Sequence, residues 1–218
     1  MEQLDQELER AFDKLKVENK HRLSILRNLD IIRNVDETTY EHCVVVGLAS
    51  AKAGSVLLLD AKGLLFPGLM HDRGKAELEP YLLRIKGKPT AEEMEMIKKH
   101  VQYTYDLLKE VHPFSAEVGL RHHMFQKHPY PTVLPEKMCA PFTPATQAKI
   151  YAYARIISAV DYCHAFITRD NARNGLHGMQ ELNAALVRDK PGSAQLVQRL
   201  LTLGVVGAIG TAQMYNLF

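Results

Sequence analysis

Leu4, Leu8, Ala11 and Leu15 recur at steps of four and three among Glu, Asp, Lys and Arg. That spacing predicts one amphipathic helix over residues 1–29. It is also a short a/d seam, so the helix either packs on its own domain or pairs with a second copy. Asn34-Val35-Asp36-Glu37-Thr38-Thr39 reads as a helix start, with Asp36 or Thr38 as cap for a segment reaching Ala53. The apolar run that ends in Leu69-Met70 predicts a second helix over 57–70, delivering His71-Asp72 at its end. Thr90-Ala91-Glu92-Glu93 is a capping box, and Met94, Ile97 and Val101 carry that helix on to about Val111. A short helix opens at Ser115 and ends in Arg121-His122-His123. Five prolines between Gln126 and Pro144 exclude a regular element there. A long helix resumes over 145–168, with Ile150, Ala154, Ile157 and Val160 on one face and Asp161 near its end. Further helical segments follow at 179–187 and 193–203. Strand patterning is nearly absent, so the fold class expected is all-α. Residues 1–36 form an N-terminal helical extension and 37–218 one helical domain.

Composition changes this picture little. An apolar fraction of 46%, a charged fraction of 24% and a formal net charge of +2 describe an ordinary globular chain. Lys and Arg are scattered, which argues against DNA or RNA as partner. The apolar run at 200–210 is too short to span a bilayer, so no membrane partner is expected. Gly204, Gly207 and Gly210 in that run form no phosphate loop, because no GK[ST] follows. Three cysteines without CxxC spacing, and a polar N-terminus without a signal-peptide core, point to a reducing cytoplasm.

Histidine is the outlier: there are ten, nine of them between His42 and His177. His71-Asp72 sets a neutral nitrogen ligand beside an anionic oxygen ligand that can bridge two ions. Gly74 keeps the following backbone permissive, and Lys75 adds a cation suited to a phosphate oxygen. The candidate ligands His42, His71, Asp72, His100, His122, His123 and Asp161 all fall on helices or at helix ends. Adjacent helical residues point ~100° apart, so the paired residues straddle two ions rather than face one. Five histidines and two aspartates are enough for a two-metal site that activates water and neutralises phosphate oxygens. His112, His128, His164 and His177 fit no ligand position and read as structural or surface residues.

The order of these motifs resembles the HD superfamily of metal-dependent phosphohydrolases, and in particular its HD-GYP branch, whose members hydrolyse cyclic di-GMP. His71-Asp72-Arg73-Gly74-Lys75 is similar to that branch's HDxGK, and Thr90-Ala91-Glu92-Glu93 through Lys99-His100 to its T-x-E-E…H helix. His122-His123 with Pro129-Tyr130-Pro131 resembles HH…GYP, and Ala154-Arg155-Ile156-Ile157 with Val160-Asp161 resembles its A-R-I-I…D helix. The resemblance implies one ion held by His42, His71, Asp72 and Asp161, and a second held by Asp72, His100, His122 and His123. It implies Asp72 and Lys75 as catalytic residues, and Lys75, Tyr130, Arg169 and Arg173 as substrate contacts.

The chain also departs from the pattern. GYP reads His128-Pro129-Tyr130-Pro131, Met124 replaces the acidic residue after the paired histidines, and Asp170 puts a negative charge among the basic positions. Thr38 stands where three-metal members carry a glutamate, which implies two metals. Ligation without thiolate points to iron or manganese, with nickel, zinc and magnesium open. The expected activity is hydrolysis of a phosphodiester in a small nucleotide, cyclic di-GMP first. A non-hydrolytic nucleotide-binding module and a di-iron oxygenase are the alternatives. A homodimer through the N-terminal helix is a further expectation.

Overall fold

The computed structural model describes residues 2–170, 179–189 and 193–205. Helices α1 (Glu2–Lys14), α2 (Asn19–Val35), α3 (Glu37–Val56) and α4 (Ala61–Met70) open the chain. A 3-10 turn (Arg73–Glu77) and a single helical turn, α5 (Pro80–Leu83), come next. Then follow α6 (Ala91–Lys98), α7 (His100–Leu108), α8 (Pro113–Arg121) and a second 3-10 turn (His122–Phe125). The long α9 (Pro144–Ala165) runs into a π turn (Phe166–Asp170), with α10 (Met179–Asp189) and α11 (Ala194–Thr202) beyond it. Among the described residues there is no strand, and the fold is all-α as expected. No described helix is long and apolar enough to cross a membrane.

α3 is the axis of the fold. It is buried on nearly every side, including Cys43, Val44, Val46, Leu48 and Ala49, and packs against α1, α2, α4 and α9. A helix apolar all round belongs in an interior. Asp36 is its cap: its Oδ2 accepts from Thr39 N at 2.8 Å and from Thr39 Oγ1 at 2.7 Å. α4 crosses α3 so closely that a Cβ on Gly68 would lie 2.9 Å from the Gly47 Cα. The crossing sets the level along α3 at which the end of α4 meets His42.

Two predicted helices are each two helices. The first breaks after Lys14. Val17 N bonds to Phe12 O at 2.9 Å and Lys16 N to Asp13 O at 3.0 Å, with Lys16 at φ 50°. This is a Schellman ending whose left-handed position holds lysine instead of the usual glycine. Leu4, Leu8 and Ala11 face inward and share one core with Ile25, Leu29 and α3. The seam is therefore used within the chain. The second expected helix breaks at Lys99, where His100 Nδ1 takes the Ile97 carbonyl at 2.7 Å. The capping box before it is present, with Thr90 N to Glu93 Oε2 at 2.7 Å and Glu93 N to Thr90 Oγ1 at 3.2 Å. α4 starts at Ala61 rather than at residue 57, because Asp60 caps it through Gly63 N. The segment from Gln126 to Thr143 contains no regular helix or strand. Most of the glycine-rich stretch near the C-terminus lies outside the described residues.

Candidate metal centre

α3, α4, the α6–α7 break, α8 and α9 each bring ligand-type side chains to one buried place. His42 comes from the second turn of α3, His71 is the residue that closes α4, and Asp72 follows it. His100 opens α7, His122 closes α8, His123 follows in the 3-10 turn, and Asp161 sits in the last turns of α9. They form two groups, Asp72/His100/His122/His123 and His42/His71/Asp161, and within each group the candidate ligand atoms lie within 4.8 Å of one another. His122 and His123 join the same group, although neighbours on an α-helix diverge by ~100°. They can do so because the chain leaves α8 for a tighter turn between them, and their ring centroids are 3.8 Å apart.

Asp72 lies between the groups with one oxygen toward each. Its Oδ2 is 3.5 Å from His42 Nε2 and 3.3 Å from His71 Nε2, while its Oδ1 is 3.1 Å from His100 Nε2. Asp161 Oδ1 approaches His42 Nε2 at 3.1 Å and His71 Nε2 at 4.0 Å. Lys75 Nζ pairs with Asp72 Oδ2 and is itself buried.

Three of the histidines are oriented in one way. His71 Nδ1 meets Gly68 O at 2.8 Å, His100 Nδ1 meets Ile97 O at 2.7 Å, and His122 Nδ1 meets Gly119 O at 2.6 Å. The last carbonyls of a helix have no backbone donor, so a histidine at the helix end finds an acceptor three residues back. A carbonyl only accepts, so Nδ1 donates in each case and Nε2 is left to face the site. His122 Nε2 and His100 Nε2 are buried without a hydrogen bond. In neutral rings those nitrogens are lone pairs facing carboxylate oxygens. Acceptors converging in a buried space need positive charge between them, as protons or as metal ions. The donor set thus fits two divalent ions.

The protonation pattern agrees. Burial pushes His42 down to about 4 and His122 down to about 3, which keeps both rings neutral. Burial opposes ionising Asp72 and Asp161. His71 and Lys75 around Asp72, and His42 against Asp161, outweigh it and hold both carboxyls well below their ordinary value. Burial also opposes charging His71, yet Asp72 and Asp161 raise it. It is the ring on which the carboxylates favour a proton in the absence of metal, and metal uptake would release that proton.

The motif residues have local reasons. Gly74 gives room rather than backbone freedom: a Cβ there would lie 2.1 Å from His100 O and 2.5 Å from Thr104 N. Its N–H donates to Thr104 Oγ1 at 2.8 Å, and Thr104 Oγ1 donates to His71 O at 3.2 Å. Thr104 thereby latches the His71-Asp72 turn onto α7. α8 carries a buried ion pair, Glu117 with Arg121, and Glu117 Oε1 also accepts from Cys139 N at 2.7 Å. That bond ties the proline-rich segment to the helix that ends in His122. Burial, with Glu117 beside it, pushes the Cys139 thiol up to about 11.

Tyr130 lies at the site with its ring centroid 4.4 Å from that of His123, and Lys98 Nζ is 5.8 Å from the Tyr130 ring centroid. Arg173 lies outside the described residues. Arg169 is in the π turn after α9, and its side chain is also outside what is described. Sequence reasoning missed Thr104, and it read His164 as structural or surface without placing it beside a ligand. His164 Nδ1 is 2.7 Å from His42 Nδ1, inside the protein and against a ligand-group ring. The spacing Asp161-x-x-His164 on one helix face was the available signal.

A scan against protein families matches the HD domain over residues 39–165. The chain belongs to the HD family. No curated protein matches it. Among solved structures, the HD domain of the L. monocytogenes phosphodiesterase PgpH is similar, with a TM-score of 0.51 at 16% identity. The match covers 87% of this chain and 92% of that one. At that identity the likeness concerns the fold. The matched span begins in the first turn of α3 and ends with α9, so it contains all seven ligand-type residues of this HD domain.

Proposed function

We propose that this HD domain is a metal-dependent phosphohydrolase that cleaves a phosphodiester in a small nucleotide through a two-metal site. One observation carries the reading: Asp72 divides two groups of histidines, one oxygen toward each, with the Lys75 ammonium beside it. His42, His71, Asp72 and Asp161 would hold one ion, and Asp72, His100, His122 and His123 the other. Divalent ions so bound lower the pKa of water and act as Lewis acids on phosphoryl oxygens. Iron or manganese suits the set best, since it combines imidazole and carboxylate without thiolate.

The protein's own part is arrangement. The i−3 carbonyls hold His71, His100 and His122 with Nε2 inward, so little reorganisation is needed when charge develops. Lys75, packed against Asp72, is placed to exchange that contact for a non-bridging phosphate oxygen. Tyr130 beside His123 offers a ring face to a base at the edge of the site. The ordered motifs favour cyclic di-GMP as first substrate and the HD-GYP branch as nearest kin, with other cyclic or linear nucleotides next. The altered His128-Pro129-Tyr130-Pro131 segment favours a second reading, a module that binds a nucleotide without cleaving it.

Elemental analysis of the native protein, with a product screen across cyclic nucleotides, tests both readings. Two metal equivalents and a linear product are expected, and both should be lost in His71→Ala with Asp72→Ala. Binding by calorimetry without product would favour the second reading. Two equivalents in the double variant would sink the site assignment.

A further inference from the structure

His42 differs from His71, His100 and His122 in how it can be held. His71, His100 and His122 stand at helix ends and use a helix-end carbonyl three residues back. His42 lies inside α3, where backbone carbonyls are engaged in the helix's own i→i−4 bonds. Its Nδ1 needs a partner from another element, and α9 supplies one: His164 Nδ1 at 2.7 Å, with ring centroids 4.9 Å apart. His164 sits three residues beyond Asp161, so one face of α9 bears both a carboxylate toward His42 Nε2 at 3.1 Å and a ring toward His42 Nδ1. The π turn begins directly after this helical turn, and Thr168 Oγ1 donates to His164 O at 2.7 Å.

We propose that His164 is a positioning residue for the first metal group, fixing His42 in the tautomer that presents Nε2 as a ligand. This rests on the two-metal reading. With Nε2 as ligand the ring proton of His42 is on Nδ1, and His164 must receive it with an unprotonated Nδ1. His164 therefore acts as acceptor, in the role that carbonyls fill for His71, His100 and His122. Any side chain with an acceptor at that point can do the same. Asn carries its Oδ1 near the place of a histidine Nδ1. Phe keeps the ring and loses the acceptor.

Metal titrations of the full chain with Mn2+ or Fe2+, followed by calorimetry and by elemental analysis after dialysis, distinguish the outcomes. Wild type should take up two equivalents. In His164→Phe one equivalent should keep its affinity and the other weaken by about 10–100-fold, the usual cost of losing an outer partner of a ligand. His164→Asn should return that affinity to within a few-fold of wild type. His122→Ala, which weakens the opposite equivalent, assigns the steps. A role in packing alone would not be rescued by Asn and would lower the melting temperature of the chelated protein. Two wild-type affinities in His164→Phe, or no rescue in His164→Asn, overturn the inference and leave the two-metal reading standing. A wild type that binds no metal overturns both.

Discussion

In the proposed two-metal reaction, Lys75 and Asp72 would divide two tasks at the centre of the site. Asp72 is almost fully enclosed and reaches both histidine groups, whereas Lys75 Nζ pairs with Asp72 Oδ2 and belongs to neither ligand group. Removing the ammonium should therefore spare metal uptake and affect chemistry. In Lys75→Ala, elemental analysis should still find two equivalents while kcat falls by about 10²–10³-fold, the usual cost of one missing donor to developing negative charge. A variant that lost metal and rate together would show that Lys75 organises Asp72 rather than meets phosphate. At this scale the spatial grouping was legible in the order of the motifs, because His71-Asp72 and His122-His123 are adjacent pairs and His42, His100 and Asp161 sit at spaced helix positions. For His164 the sequence offered only its place on the Asp161 face of the helix, and contact with α3 shows what it touches. Gly74 was legible as special for the wrong reason. Its backbone is ordinary, and the constraint comes from α7 lying against it.

Helix ends decide the elements. Caps written in side chains, such as Asp36 and the Thr90–Glu93 box, were readable from the sequence pattern, whereas the Asp60 cap lay inside an apolar run read as helix from residue 57. The break after Lys14 was not, because the residue in the left-handed position is Lys16 rather than glycine. Lysine in that conformation is strained by roughly 1–2 kcal/mol. Lys16→Gly should relieve part of it and raise stability by up to about 1 kcal/mol in urea unfolding; no change would mean the surroundings relax the strain. Gly74→Ala should act in the other direction. Its methyl would meet the α7 backbone rather than a movable side chain, and overpacking of this kind costs about 1–3 kcal/mol. For a chain of this length that is several degrees of melting temperature. His100 should move with α7, so metal affinity should fall as well. An unchanged melt and an unchanged isotherm would contradict the close approach.

Most of the described helices share one core around α3, and the acid response follows from what that core encloses. In the metal-free protein, burial lowers His42, His122 and His112, the last also through His21. The unfolded chain then binds more protons below about pH 6.5, so these rings contribute stability above that value and lose it progressively as pH falls toward their folded values, about 4 for His42 and about 3 for His122. Asp72 and Asp161, also lowered, act in the same direction below about pH 4. His71 is raised and opposes them, contributing below its unfolded value. Three rings against one give a urea midpoint of chelated protein that should drop from about pH 7 to about pH 5. His112→Gln, which leaves the centre intact, should make that drop shallower. The all-α class was legible from periodicity, while the inclusion of α1 and α2 in the same core depends on which face of each helix is buried. α4, α6 and α8 all end beside the centre, where His71, His100 and His122 take their carbonyls. The pole of α6 meets the N-terminus of α7 at Lys99 and is offset there. Two helix macrodipoles, those of α4 and α8, thus set their negative poles, each roughly half an elementary charge, around two carboxylates. The resulting potential draws in cations and turns anions away. Metal should then be the obligatory first ligand: inorganic phosphate titrated into chelated protein should give no binding heat, and should give it once Mn2+ is present.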